Sequence, residues 1–119
     1  MDSEEATRRA DEWIAAWNSH DLDRILSHYT DDFTMSSPYV SLVTGEASGT
    51  VHGKAAVRAY WGKGLQRAPD LHFDLIETHA GVNGLALFYR TNVTGKTVVE
   101  VLVLGPDGRY TSGDAYNAV

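Results

Sequence analysis

Leu85-Ala-Leu-Phe-Tyr-Arg-Thr-Asn-Val-Thr-Gly-Lys-Thr-Val-Val-Glu-Val-Leu-Val-Leu104 is the stretch on which the fold class turns. Lys96 to Leu104 is a strongly β-branched run without proline and reads as a strand. Thr94-Gly95 is a tight hairpin signal, which makes Leu85 to Val93 the preceding strand. The same period continues outward on both sides. Leu71, Phe73 and Leu75 alternate ahead of a Gly81-Val82-Asn83-Gly84 turn, and Gly105-Pro106-Asp107-Gly108 turns into a last strand, Arg109 to about Asn117. These runs form a meander of four antiparallel strands.

Upstream the period changes to that of a helix. Ser3-Glu4-Glu5 supplies an N-cap and acids that complement the helix dipole, and Ala6, Ala10, Trp13, Ile14 and Trp17 follow on one apolar face. Asn18-Ser19-His20 breaks that helix. Asp21 caps a short second one with Leu22, Ile25, Leu26 and Tyr29 on its buried side. Thr30-Asp31-Asp32 ends it, and Phe33 and Met35 alternate as a short strand until Pro38. Residues 38 to 52 carry turn formers and weak periodicity and read as a long loop, a rim or lid. Gly53 opens a third helix, Lys54 to about Leu65, which Gly62, Gly64 and Pro69 bring to an end. Three helices followed by a meander give an α+β domain.

With 119 residues, 43% hydrophobic and 22% charged, the chain fits one globular domain, residues 1–119, without internal repeat or linker. No apolar run spans a membrane, and Met-Asp-Ser-Glu-Glu lacks the order of a secretory signal. There are no cysteines, so disulfides and thiolate chemistry are excluded, in keeping with a cytoplasmic protein. A net charge of −6, with ten basic residues scattered among sixteen acids, excludes a nucleic-acid partner, which requires a basic stripe.

Asp11-Glu-Trp-Ile-Ala-Ala-Trp-Asn-Ser-His-Asp-Leu-Asp-Arg-Ile-Leu26, then Tyr29-Thr-Asp-Asp-Phe33, resembles the opening of nuclear transport factor 2-like domains. His52-Gly-Lys-Ala-Ala-Val-Arg-Ala-Tyr-Trp61 resembles the third-helix signature of their SnoaL-like branch. The element order matches to the end of the chain. The resemblance implies a cystatin-like cone, with three helices on a strongly curved, mainly antiparallel sheet. An apolar small-molecule pocket lies inside it, and the opposite sheet face often meets a second subunit. It does not fix an activity, since the superfamily includes ketosteroid isomerases, polyketide cyclases, epoxide hydrolases, dehydratases and proteins that only bind.

Carried over residue by residue, the isomerase pattern puts its phenol donor at Trp13, its base at Ser37 and its carboxylic acid donor near Val103, none of which can do that chemistry. The acid–arginine–acid arrangement of epoxide hydrolases puts its arginine at Arg90, one acid at Asn92 and the other near Ala115. Asp114 is one place away and qualifies only if a bulge, which Gly113 permits, restores its face. The cyclases' aspartate base also falls nearest Asp114. His28 and His52 can titrate near neutrality, His28 facing either the pocket or the helix end.

A two-residue loop at Thr94-Gly95 pairs Val93 with Lys96 and sets Arg90 opposite Val99. One face then holds Phe88, Arg90, Asn92, Thr97, Val99, Val101 and Val103, and the resemblance makes it the pocket side. A guanidinium there requires an internal acid or a ligand oxygen. The other face, Leu87, Tyr89, Val98, Glu100 and Leu102, is left for a homodimer contact. The expected catalytic set is Arg90, Asp114 and His28. Trp13, Trp17, Tyr29, Ser37, Tyr60, Trp61, Phe88 and Asn92 are the expected ligand contacts, although the rings also suit plain core packing. No metal-ligand spacing, phosphate loop or dinucleotide fingerprint is present, so no metal or cofactor is expected. Two functional readings follow: a cofactor-free enzyme of isomerase, cyclase or hydratase type, and a binding or dimeric interaction domain without catalysis.

Overall fold

The computed structural model describes residues 1–119. Helices α1 (Ser3–Ser19) and α2 (Leu22–Leu26) lead into strand β1 (Tyr29–Ser36). A short helix α3 (Pro38–Thr44), strand β2 (Thr50–His52) and helix α4 (Lys54–Arg67) follow, then β3 (Phe73–Ala80), β4 (Gly84–Thr91), β5 (Thr97–Leu104) and β6 (Tyr110–Asn117). The six strands form one curved sheet in the order β2-β1-β6-β5-β4-β3, antiparallel except where β1 runs parallel to β6. The three helices expected from the sequence are present as α1, α2 and α4, the four-strand meander is β3 to β6, and α1 and α4 cover the concave face.

The segment expected as a loop, residues 38 to 52, is instead the helix α3 and the edge strand β2. Ser37 Oγ accepts from Tyr39 N, Pro38 occupies the first turn and Gly45 ends the helix at φ 77°. These are capping devices that act locally and leave no long apolar period to read. At α1 the cap is Asp2, whose carboxylate accepts from Glu5 N, one residue before Ser3. Asp21 caps α2 as expected, accepting from the amides of Asp23 and Arg24.

Two side chains fix α1 against β3. Asn18 Nδ2 donates to Phe73 O at 2.9 Å, and Phe73 N donates to Asn18 Oδ1 at 2.8 Å. His20, in the left-handed region at φ 61°, places its Nε2 2.7 Å from Leu71 O. Trp13 is thereby held over Phe73 and Tyr89, and Trp17 over Phe73, with ring centroids 5.4–6.0 Å apart. Tyr29, Phe33, Ile25, Leu26, Leu87, Leu102, Val40 and Val57 are the largest fully buried side chains, so the core lies between the helices and the concave sheet face.

That core decides which sheet face is inside. Arg90 pairs with Thr97 and Phe88 with Val99, two residues from the expected register, because Asn92–Lys96 makes a longer loop than Thr94-Gly95 alone. The shift of two keeps each residue's face-mates, but the faces are the reverse of the expectation. Leu87, Tyr89, Val98, Glu100 and Leu102 are buried beneath the helices and cannot form a dimer contact. Arg90, Phe88, Val99, Val101 and Val103 form the outer face. No helix is long and apolar enough to cross a membrane.

Candidate functional site

A carboxyl group stands inside the cone, on the strand face expected from the sequence to be the outer one. Glu100, in the middle of β5, is 7% exposed and its Oε2 is buried without a hydrogen-bonding partner. Burial first, and then the Asp114 carboxylate, push its pKa up to about 8. At neutral pH it is therefore a neutral acid. Gly113 on β6 makes room for it, since a Cβ there would lie 3.4 Å from Glu100 Oε1.

Aromatic rings surround this acid. Trp13 Nε1 donates to Tyr29 Oη at 2.9 Å, which leaves the Tyr29 hydroxyl hydrogen free to donate. Trp13 also lies 5.4 Å from Tyr89, and Trp61 lies 5.4 Å from Tyr29. Burial, and then the nearby Glu100, hold the phenols of Tyr29 and Tyr89 well above their usual pKa. Trp17 meets Trp61 edge-on at 4.9 Å between α1 and α4, and its Nε1 is buried without a partner. On β6, Asn117 Nδ2 is likewise buried and unpartnered. Trp13, Trp17, Tyr29 and Trp61 of the expected ligand contacts thus lie in the interior with Glu100. Tyr60 is half-buried at its margin.

The other expected site residues lie elsewhere. Arg90 is exposed on the outer face and donates from a terminal nitrogen to Gly95 O at 2.8 Å, so its charge is answered by water and its own hairpin. Phe88 lies half-buried on that outer face. Asn92 is exposed and ties two segments together, accepting from His72 N and donating to Asp70 O, each at 2.8 Å. Asp114 pairs with Val101 and shares its outer face; the β5–β6 irregularity falls between Val103 and Leu104, too far away to turn Asp114 inward. His28 Nε2 sits 2.9 Å from Glu12 Oε2, in an ion-pair cluster with Arg24 on the outside of α1 and α2. His52 is exposed, and Ser37 is the α3 cap. Val103, where the isomerase pattern puts its acid, is also outside; the inward acid of that strand is Glu100, three residues earlier. Its one signal in the sequence is that it is a lone charge in the most β-branched strand of the chain.

Two surface concavities of about 460 Å³ each open away from this interior. One lies beside the first turns of α1, at Ser3, Glu4, Thr7, Arg8 and Asp11; the other lies at the β3–β4 turn, where Gly81, Gly84 and Leu85 meet Val101 and Val103. No three His, Asp or Glu side chains converge as metal ligands.

The SnoaL-like domain family model matches residues 10–116. A SnoaL-like protein of unknown function from Burkholderia thailandensis is 45% identical, with a TM-score of 0.94 over 100% of this chain and 99% of that one. SalBIII, described as an epoxide hydrolase/cyclase-like enzyme in pyran ring formation in the polyether salinomycin, is 20% identical with a TM-score of 0.75, over 99% and 94% of the two chains. TerC, co-crystallised with polyporic acid, is 16% identical with a TM-score of 0.77, over 95% and 91%. The last two likenesses establish the fold alone. No curated protein matches the chain. The family model spans nearly the whole sequence, from the first helix to the last strand, and the chain belongs to the SnoaL-like domain family.

Proposed function

We propose that the chain is a cofactor-free acid–base enzyme of isomerase, cyclase or hydratase type, which takes an apolar small molecule into the cone and moves a proton through Glu100. The observation that carries this reading is a buried, unpartnered carboxyl with a pKa of about 8 among aromatic rings. A proton-transfer group works best when its pKa lies near the operating pH, because neither protonation state is then scarce. As the neutral acid, Glu100 donates to a ligand oxygen; as the carboxylate, it takes the proton back. Tyr29 and Tyr89 remain phenols and supply further donors. SalBIII and the polyporic-acid complex of TerC support small-molecule chemistry within the same fold.

The rings fill much of the interior, so entry requires some of them to move. Trp17 and Trp61, each 8% exposed, are the outermost of the interior tryptophans, and no hydrogen bond holds Trp17 Nε1. A second copy of the chain on the outer sheet face completes the reading. Val99, Val103 and Tyr116 are 38%, 39% and 64% exposed there, an apolar strip suited to a two-fold contact.

The test is a panel of neutral fused-ring ketones, lactones and epoxides incubated in deuterated water and read by mass spectrometry. Deuterium uptake or product formation is expected with the wild type. Glu100→Gln should retain binding and lose roughly a hundredfold or more in rate. Turnover indifferent to Glu100→Gln overturns the assignment, and binding without any turnover favours the non-catalytic alternative.

A further inference from the structure

We propose that Asn83 is a site of self-modification: the backbone nitrogen of Gly84 attacks the Asn83 side-chain amide, and the residue ages to aspartate and isoaspartate without an enzyme. The chemistry is a ring closure followed by hydrolysis. The Gly84 N–H proton passes to a solvent base, the nitrogen bonds to Asn83 Cγ, and the side-chain nitrogen takes a proton from solvent and leaves as ammonia. Water then opens the cyclic imide. Opening at Cγ leaves aspartate. Opening at the main-chain carbonyl leaves isoaspartate, in which the chain runs through the side chain and is a methylene longer. Water is the only co-reactant.

The surroundings of this one peptide group favour the reaction. Asn83 is exposed in the β3–β4 turn, where it lines the open concavity, so water reaches its side chain. Gly84 N makes no hydrogen bond. At this end of the hairpin Gly81 N donates to Gly84 O at 2.8 Å, while Gly81 O accepts the amino terminus of Met1 at 3.3 Å. Leu104 N donates to Asn83 O at 2.7 Å. That oxygen and Gly84 N share a peptide bond, so the donor stabilises the negative charge that spreads onto the oxygen as the N–H ionises. A Cβ on Gly84 would overlap the Leu102 carbonyl, so the residue after Asn83 is held to glycine and its nitrogen has no side chain to shield it. The comparable positions are all restrained. Asn18 bonds both ways to Phe73, Asn92 bonds to His72 N and Asp70 O, and the Asn117 amide is buried; none of them precedes a glycine. Asp107-Gly108 has the same spacing, but Gly108 N donates to Gly105 O at 3.2 Å. Arg109 also lowers the Asp107 pKa and keeps that side chain a carboxylate, which has no good leaving group.

Incubation of the intact folded protein at mildly alkaline pH, followed by digestion and mass spectrometry, reads the conversion at each asparagine. The Asn83 peptide should gain the mass difference between an amide and an acid about tenfold faster than the peptides carrying Asn18, Asn92 or Asn117. It should elute as separate aspartate and isoaspartate products, of which a protein isoaspartate methyltransferase labels the second. Asn83→Gln, whose longer side chain closes this ring slowly, should stay unchanged at that position. Isoaspartate displaces the carbonyl that Leu104 N holds. The isoaspartate form, purified by chromatography, should therefore melt below Asn83→Asp, which carries the same charge on an unextended chain. Conversion at Asn83 no faster than at the other three asparagines, or seen only when urea unfolds the chain, overturns the proposal. An isoaspartate form that melts with Asn83→Asp overturns the expected loosening of the β4–β5 register.

Discussion

Taking a carboxylate out of water without a partner costs several kcal/mol, and Glu100 meets that cost by keeping its proton. Its folded pKa of about 8 lies above the usual 4.5. Between those values the folded chain binds a proton that the unfolded chain has released, so stability falls as pH rises through that window and levels off above it. Glu100→Gln has no proton to lose. Urea denaturation should show the wild type losing a few kcal/mol relative to this variant between about pH 5 and pH 9, and parallel curves would contradict it. Glu12 behaves in the opposite sense. Its pKa is lowered to about 2, first by Arg24 and then by His28, so its contribution is present above 4.5 and lost as pH falls toward 2. Its side chain is 39% exposed, and screening keeps that contribution small. The sequence makes Arg90 the conspicuous buried-charge candidate and Glu100 a surface acid. The roles are reversed because a guanidinium at a hairpin end reaches its own loop carbonyl and water, whereas a carboxyl at mid-strand has neither within reach.

At the scale of elements, β4 and β5 explain why the inner face was hard to read. One face carries Leu85, Leu87, Tyr89, Val98 and Leu102; the other carries Ala86, Phe88, Val99, Val101 and Val103. Both are apolar, each with one charge, so alternation finds the strands and the face-mates but cannot say which face the helices cover. Only the packing of Trp13 and Trp17 on Tyr89 and Phe73 decides it. The register is pinned at the β3–β4 turn. Gly81 N donates to Gly84 O at 2.8 Å, and Leu104 N to Asn83 O at 2.7 Å. Gly84, opposite Val103, approaches β5 so closely that a Cβ would overlap the Leu102 carbonyl, 2.0 Å away. Gly84→Ala should therefore force the strands apart and cost about 2 kcal/mol or more. A urea midpoint within experimental error of the wild type would show that this end of the hairpin yields freely.

For the whole molecule, the reversal of faces relocates the expected dimer contact without removing the reason for it. The helices cover the inner face, and the outer strip of Phe88, Val99, Val101, Val103 and Tyr116 is the face proposed for a second copy. Val101→Lys places a charge amid that strip without touching the core. It should convert a dimer to a monomer in sedimentation at micromolar concentration and leave the melt of the monomer intact. A wild-type monomer, or a dimer unaffected by the lysine, would contradict the proposed contact. The helix-then-meander order and the SnoaL-like opening were legible because period and motif are local properties of the chain. The interior acid was not, because its burial depends on which side the helices close.

Glu100 is held inside the cone as a protonated acid. The most direct measurement of this is a carbon-13 NMR titration of the glutamate side-chain carboxyls, with the Glu100 signal identified by its loss in Glu100→Gln. The signal should titrate near pH 8 and move to lower pH in Asp114→Asn, which removes the like charge behind the sheet. A Glu100 signal titrating at about 4 to 5, as an ordinary surface carboxylate does, would contradict the account.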